Sequence, residues 1–266
     1  MVNLKGFIEP VLLAIEQVGF CIEDLKKDNK YKDNPKELAL FADMQAHELL
    51  SKLLKKILDV LVVSEEDVAS HSIDEEVYWL IDPIDGTSSY SNKYNGYVVQ
   101  CALIKSNIPI LSAIYAPHFK KFYYAYENGG AWMNGKNLAN NFIINDNVRS
   151  LTDNEPTPHG IAAVVYKRLN FEKYIESGSL GLKMCLVAEG TASAFVKSTK
   201  VRDWDIAPAS LILKEINGIF TDSHSKYVSY APGARSHHGL IATRDIHLHN
   251  QIASVITKER VNGYFK

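Results

Sequence analysis

The 266-residue chain has few cysteines, little net charge and no long apolar run. Its three cysteines, Cys21, Cys101 and Cys185, are far apart, odd in number and outside any C-x-x-C pair. That spacing argues against a disulfide framework and a structural zinc site, and it fits a reducing cytoplasm. Net charge is only −2 and no basic stripe is visible, so no nucleic-acid partner held by bulk electrostatics is expected. Lys52, Lys55 and Lys56 have the spacing of a solvated helix face instead. No stretch approaches the roughly 18 uninterrupted apolar residues that a membrane span needs. The N-terminal residues are interrupted by Glu9 and Glu16 and do not read as a signal peptide.

What is present is an ordinary 46% of apolar residues, enough for a sizeable core. The length allows one compact body or two closely joined halves. Leu4, Ile8, Val11, Leu12, Ile15, Val18, Ile22 and Leu25 recur at helical spacing and predict an amphipathic opening helix. The polar stretch Lys26–Lys36 reads as a mobile loop. A second helix is expected from about Asp43, with that acid at its N-cap or first turn. Short apolar runs follow at Val60–Val63, Val77–Ile81, Tyr97–Ile104, Ile110–Tyr115 and Phe122–Tyr126, with hairpin signals at Gly129-Gly130 and Asn134-Gly135. The first half therefore reads as two helices and a largely antiparallel sheet.

The second half alternates. Strands are expected at Ile161–Tyr166, Ala192–Val196, Ile219–Asp222 and Leu240–Thr243, and helices at Leu180–Ala188, Ile206–Ile216 and Asp245–Lys258. This is an α+β or α/β pattern of helices packed on sheets. The boundary is placed in the polar segment Asn140–Glu155, giving halves 1–145 and 146–266. No internal repeat or low-complexity tract appears.

The acids carry the functional signal. Glu65 follows one apolar run, Asp82 and Asp85 follow another, and Asp205 opens a helix after Trp204. Acids at strand ends and helix starts gather at the rim of a sheet, where sites form. Converging carboxylates repel one another unless a hard cation sits between them, and Mg²⁺ takes oxygen ligands of this kind. Within Asp82-Pro83-Ile84-Asp85-Gly86-Thr87, Pro83 pushes Asp82 toward extended backbone and ends the strand. Gly86 permits a close approach or an unusual φ. Thr87 adds a hydroxyl and an N–H suited to a phosphate. Taken singly, each piece is compatible with an ordinary turn, a solvated acid pair or a helix cap; their order and context together favour a site.

Val63-Ser64-Glu65-Glu66, Trp79–Thr87, Trp204-Asp205-Ile206-Ala207 and Glu215-Ile216-Asn217-Gly218 resemble the signature blocks of the inositol monophosphatase family, which includes the 3′(2′),5′-bisphosphate nucleotidases. The resemblance runs from about Asp43 to Asp222 and implies an αβαβα layered sandwich. It implies that Glu65, Asp82 and the carbonyl of Ile84 hold a first Mg²⁺, and that Asp82, Asp85 and Asp205 share a second. Asp43 would help to hold a third ion through water. By the same resemblance Glu65 and Thr87 position the attacking water, and Gly86 and Thr87 cradle the phosphate through backbone N–H groups. Glu66 matches a family acid that is not expected to be a direct ligand. Lithium sensitivity is implied as well.

The block Gly178-Ser179-Leu180-Gly181-Leu182-Lys183, followed by Val187-Ala188-Glu189-Gly190, resembles the nucleotidase branch. Ser179 is expected to meet a sugar hydroxyl or second phosphate. Lys183 reads either as a phosphate partner or as a solvated helix lysine. Phe195-Val196-Lys197-Ser198 lacks the acid that contacts inositol in animal-type members, and Lys197, Lys200 and Arg202 add positive charge. Ser88-Ser89-Tyr90 departs from both branches. The expected activity is hydrolysis of the 3′-phosphate of adenosine 3′,5′-bisphosphate by metal-activated water. Inositol-1-phosphate or broad sugar phosphatase activity is the alternative, and an RNA-polymerase or RNA-processing accessory role is the non-enzymatic one. A homodimer is compatible with the family.

Overall fold

The computed structural model describes residues 3–31, 34–140, 148–231 and 236–261. The chain opens with α1 (Leu4–Leu25), a 3₁₀ turn (Asn29–Tyr31) and α2 (Pro35–Ile57). Then come β1 (Leu61–Ser64), a second 3₁₀ turn (Val68–Ser72), β2 (Val77–Asp85) and the short helix α3 (Thr87–Ser91). The meander β3 (Val98–Lys105), β4 (Ile108–Ala116), β5 (Lys121–Tyr126), β6 (Ala131–Met133) and β7 (Lys136–Asn137) completes a seven-stranded sheet in sequential order. Only β1 and β2 pair in parallel; the other neighbours are antiparallel.

A second, five-stranded sheet follows. Its elements are β8 (Ser150–Asp153), α4 (Gly160–Arg168), β9 (Lys173–Glu176), α5 (Leu180–Ala188), β10 (Ala194–Arg202), α6 (Asp203–Lys214), β11 (Ile219–Thr221), β12 (Ser236–Thr243) and α7 (Ile246–Val261). The strand order is β11-β12-β10-β8-β9.

Strand alternation explains the layering. On β3, Val99, Cys101 and Leu103 pack toward Val11, Ile15 and Ile22 of α1 and Leu50 of α2. Val98, Ala102 and Ile104 belong to the opposite core, with Met184 and Val187 of α5 and Leu211 of α6. That middle core also contains Phe195 and Leu240 of the second sheet. Behind the second sheet, Ile161 and Val165 of α4 and Ile252 and Ile256 of α7 cover Leu151, Val196 and Ile241. The result is the expected αβαβα sandwich. Burying a side chain of this size stabilises by about 1.5–3 kcal/mol. Gly19 lets α1 lie close on the sheet, because a Cβ there would stand 2.4 Å from the Tyr115 ring.

Several local expectations are corrected. The second helix starts at Pro35, not Asp43: Asn34 caps it by accepting from Glu37 N, and proline occupies the first turn. Asp43 is therefore mid-helix on the buried face. Within the Lys26–Lys36 stretch, Lys26 Nζ donates to Tyr97 Oη (3.0 Å), and Tyr31 stacks on Phe41 at 5.6 Å; positions 32 and 33 lie outside the described residues. Ile161–Tyr166 is helical, with Ile161, Ala162 and Val165 on the face that packs into the cluster holding Leu248, Ile252 and Ile256 of α7. The 145/146 division falls outside the described residues, and part of the polar segment assigned to it, Ser150–Asp153, is strand β8.

Strand β2 also runs past Asp82 to Asp85. Its register with β3 pairs Asp82 with Gln100 and Asp85 with Val98, so Pro83 and Ile84 stand opposite the single residue Val99. Pro83, which has no N–H to give, sits inside this bulge. Residues three apart on a regular strand point to opposite faces. The extra residue reverses that alternation and returns Asp82 and Asp85 to one side.

Candidate metal centre

Glu65 sits in the turn after β1, Asp82 at the bulge of β2 and Asp205 in the first turn of α6. One carboxylate oxygen from each lies within 4.8 Å of the others. Asp82 is buried, Asp205 half-buried and Glu65 open to solvent. Asp205 doubles as a helix-start residue: its Oδ2 accepts from Arg202 N at 2.7 Å. Asp82 Oδ1 accepts from Ile84 N at 3.1 Å, which closes the turn.

The electrostatics are those of an uncompensated acid cluster. Although the residue as a whole is exposed, desolvation of the Glu65 carboxyl where it turns in toward the other acids, then repulsion from Glu66, Asp85 and Asp43, raises it to about 7, offset in part by a hydrogen bond with Asp82. Burial and the Asp85 charge raise Asp205 to about 8. Burial and the Glu66 charge raise Asp43 to about 7. Asp82 is pushed well above the usual carboxylate range by burial, then by Glu65, Asp85 and Asp205. Among the described residues none of these four acids has an ion-pair partner. Asp43 Oδ1 is buried with no hydrogen-bond partner. Oxygen-only donors, mutual repulsion and an orphaned buried carboxylate oxygen fit a hard divalent cation.

Asp85 is in a different situation. Its Oδ2 accepts from Ser179 Oγ (2.5 Å) and Gly181 N (2.7 Å), and its Oδ1 accepts from Leu180 N (3.2 Å). The start of α5 thus grips this carboxylate, and those bonds oppose the upward push of burial. Gln100 on β3 reaches the same place: its Nε2 lies 3.0 Å from Trp204 O, 3.3 Å from Asp205 O and 3.4 Å from Asp85 Oδ2. It ties β2, β3 and α6 together. The sequence reading did not single out Gln100; the one available signal was a glutamine within an otherwise apolar strand run.

Three glycines allow this junction. Gly86 has φ +95, and a Cβ there would meet Gly96 O at 2.9 Å. A Cβ on Gly96 would stand 2.5 Å from Gly178 N. Ser179 N donates to Gly96 O at 2.6 Å across the same seam. Gly86 also opens α3, whose first turn has no side-chain cap. Thr87 Oγ1 donates to the carbonyl of Ile84 at 3.0 Å, which brings the two predicted groups together.

Two substrate-contact expectations are corrected. Ser179 is fully buried: it caps α5 by accepting from Leu182 N (2.9 Å) and spends its proton on Asp85. Lys183 is also fully buried, so it is not a solvated helix lysine. Its Nζ donates to Ser177 O and Gly178 O, both at 3.0 Å, and lies 5.1 Å from the Phe195 ring centroid. Burial, then the Lys197 charge, lowers it to about 7. The departure at Ser88-Ser89-Tyr90 has a packing reason: Tyr90 Oη donates to Ile22 O (2.7 Å), and Ser89 lies against Gly178.

Comparison with known proteins identifies the family and the fold. The model of the inositol monophosphatase family matches residues 11–261. The chain is 31% identical to the 3′(2′),5′-bisphosphate nucleotidase CysQ of Salmonella typhimurium over 82% of this chain and 89% of that protein. It is 28% identical to the fructose-1,6-bisphosphatase/inositol-1-monophosphatase of Aquifex aeolicus over 83% of this chain and 87% of that one. The crystal structure of inositol monophosphatase II from Staphylococcus aureus superposes with a TM-score of 0.80 at 22% identity, covering 99% of each chain.

Proposed function

The chain belongs to the inositol monophosphatase family and is a phosphatase; from that premise we propose a Mg²⁺-dependent phosphomonoesterase that removes the 3′-phosphate of adenosine 3′,5′-bisphosphate. The observation that carries the metal part is the convergence of Glu65, Asp82 and Asp205 without a protein cation. Asp85, Asp43 and the Ile84 carbonyl complete the set of residues that would hold about two or three ions. Bound Mg²⁺ would supply Lewis-acid activation of the attacking water and of the leaving oxygen.

The chain's own groups do the rest. Thr87 Oγ1 gives its proton to Ile84 O, so its lone pairs face outward and accept from the attacking water. Glu65, at the open rim, accepts that water's other proton. The uncapped N–H groups at Gly86 and Thr87 receive phosphate oxygens.

The substrate assignment is supported by the similarity to CysQ and by Lys197, Lys200 and Arg202 on the strand leading to Asp205. These cations suit a leaving group that carries a second phosphate. The similarity to the Aquifex protein supports inositol 1-phosphate or a sugar bisphosphate as the second reading. Cys21, Cys101 and Cys185 are unpaired, which supports a cytoplasmic setting. Among the described residues no helix is long and apolar enough to cross a membrane. A homodimer belongs to the same proposal, and light scattering checks it.

A phosphate-release panel tests the substrate. It contains adenosine 3′,5′-bisphosphate, inositol 1-phosphate and fructose 1,6-bisphosphate, each with Mg²⁺ and with added Li⁺. The expected result is highest kcat/KM for the nucleotide and inhibition by Li⁺. Preference for inositol 1-phosphate overturns the nucleotidase assignment alone.

A further inference from the structure

The residue just before Glu65 is held more firmly than a strand end requires. Ser64 is fully buried, and five side-chain or backbone groups bond to it outside the sheet. Its N–H donates to Ser70 Oγ (3.1 Å). Its Oγ accepts from Glu66 N (3.3 Å) and stands 2.8 Å from His47 Nδ1. The hydroxyl keeps a second lone pair beside the bond from Glu66, so either it or His47 Nδ1 can be the donor between them, according to the His47 tautomer. The carbonyl of Ser64 accepts from Asp67 N (3.2 Å) and lies 2.8 Å from His71 Nε2. A carbonyl only accepts, so His71 Nε2 carries a proton.

His71 has a second attachment. Its ring lies on the indole of Trp204, with centroids 4.6 Å apart and planes 34° apart. Trp204 immediately precedes Asp205, and Gln100 holds the Trp204 carbonyl from the opposite direction (3.0 Å). The 3₁₀ turn Val68–Ser72 therefore places one side chain between the two elements that bring Glu65 and Asp205 together.

We propose that His71 is a positioning residue of the metal centre: its Nε2–H bond to Ser64 O sets Glu65, and its ring on Trp204 sets Asp205, so that their carboxylates arrive at metal-binding separation. His47 supports the same point from α2, four residues after Asp43 and so on the same helix face. The acids repel one another, and without a brace they relax apart when no cation is present. A brace that touches no substrate lowers the reorganisation needed on ion binding. The inference rests on the metal-dependent reading above, but its test needs no turnover.

The test is Mn²⁺ binding to the full chain, followed by electron paramagnetic resonance of the free ion, with no substrate present. His71→Phe keeps a ring on Trp204 and removes the donor. His71→Gln restores a donor and removes the ring. The expected result is a loss of about tenfold in Mn²⁺ affinity for His71→Phe, with recovery to within about threefold for His71→Gln, and an unchanged metal-free melting temperature for both. Ser64→Ala, which cuts the His47 arm, is expected to weaken binding about threefold. Wild-type affinity in His71→Phe overturns the proposal. Equal weakening of both His71 variants with a lowered melting temperature also overturns it, because it reports lost packing. Absence of Mn²⁺ binding by the wild-type chain sinks the metal-dependent reading itself. Mn²⁺ binding without phosphate release from any substrate leaves the brace supported and removes only the function.

Discussion

Asp82 and Asp85 are three residues apart on one strand, yet they belong to regions built on opposite logic. Around Asp82, carboxylates from the turn after β1, from β2 and from α6 face one another with little else to satisfy them. Around Asp85, three donors from the start of α5 converge on a single carboxylate. The first region carries mutual repulsion that no protein cation among the described residues offsets, a donor set that could hold a metal ion. The second is satisfied within the protein and holds the geometry. Asp82 thus lacks protein donors to balance its neighbours, whereas Asp85 has them and, in the proposed site, would combine this anchoring with a ligand role.

The sharpest way to break this comparison is to neutralise the open cluster. Asp82→Asn and Asp205→Asn should each lower kcat/KM about a thousandfold, roughly 4 kcal/mol of transition-state stabilisation. In EDTA the same variants should melt at or above the wild-type temperature, because each removes a repelling charge. Near-normal rates in both would mean that the metal site is elsewhere.

The glycine seam should respond in stability first. Gly96→Ala puts a Cβ against the Gly178 backbone, and overpacking of this kind costs about 3 kcal/mol; urea unfolding measures it. Ser179→Ala removes the hydroxyl that Asp85 and Leu182 N share. We expect a loss of about 1–3 kcal/mol and, unlike Asp82→Asn, no gain in EDTA.

A pH dependence tests the same strain without any substitution. Asp43 and Glu65 stand at about 7 and Asp205 at about 8 when folded, above their ordinary values. Between those ordinary values and pH 7–8 the folded chain keeps protons that the unfolded chain has released. Metal-free stability should therefore fall as pH rises from about 5 to 8. Added Mg²⁺ should raise the melting temperature more at pH 8 than at pH 5. A metal-free melting temperature that rises across this window would show that the acids are not mutually strained.

The sequence carried the identities of the acids, because ligand chemistry needs particular side chains. It carried the first sheet as well, since apolar runs and Gly turns mark each strand. It concealed whatever depends on two segments meeting. The bulge at Pro83 is visible only from the partner strand, where Asp82 and Asp85 face Gln100 and Val98. Gln100 acquires its role from α6, about a hundred residues later. Ser179 and Lys183 looked like substrate contacts because polar residues at a helix start usually face water, but here the helix start is packed on Asp85. The cap at Asn34 was overlooked because the polar stretch around it resembles a loop. In α4 the residues favour a strand, and the contacts with α7 decide otherwise.

The grip of α5 on Asp85 spans 94 to 96 residues of sequence, and Asp205 comes later still. During synthesis, Glu65, Asp82 and Asp85 leave the ribosome well before their counterparts. Until then the seven-stranded sheet carries an unanchored carboxylate and an incomplete acid cluster. Catalytic competence therefore arrives late in translation. A chain ending before α6 would carry Glu65, Asp82 and Asp85 but lack Asp205, the third member of the acid cluster.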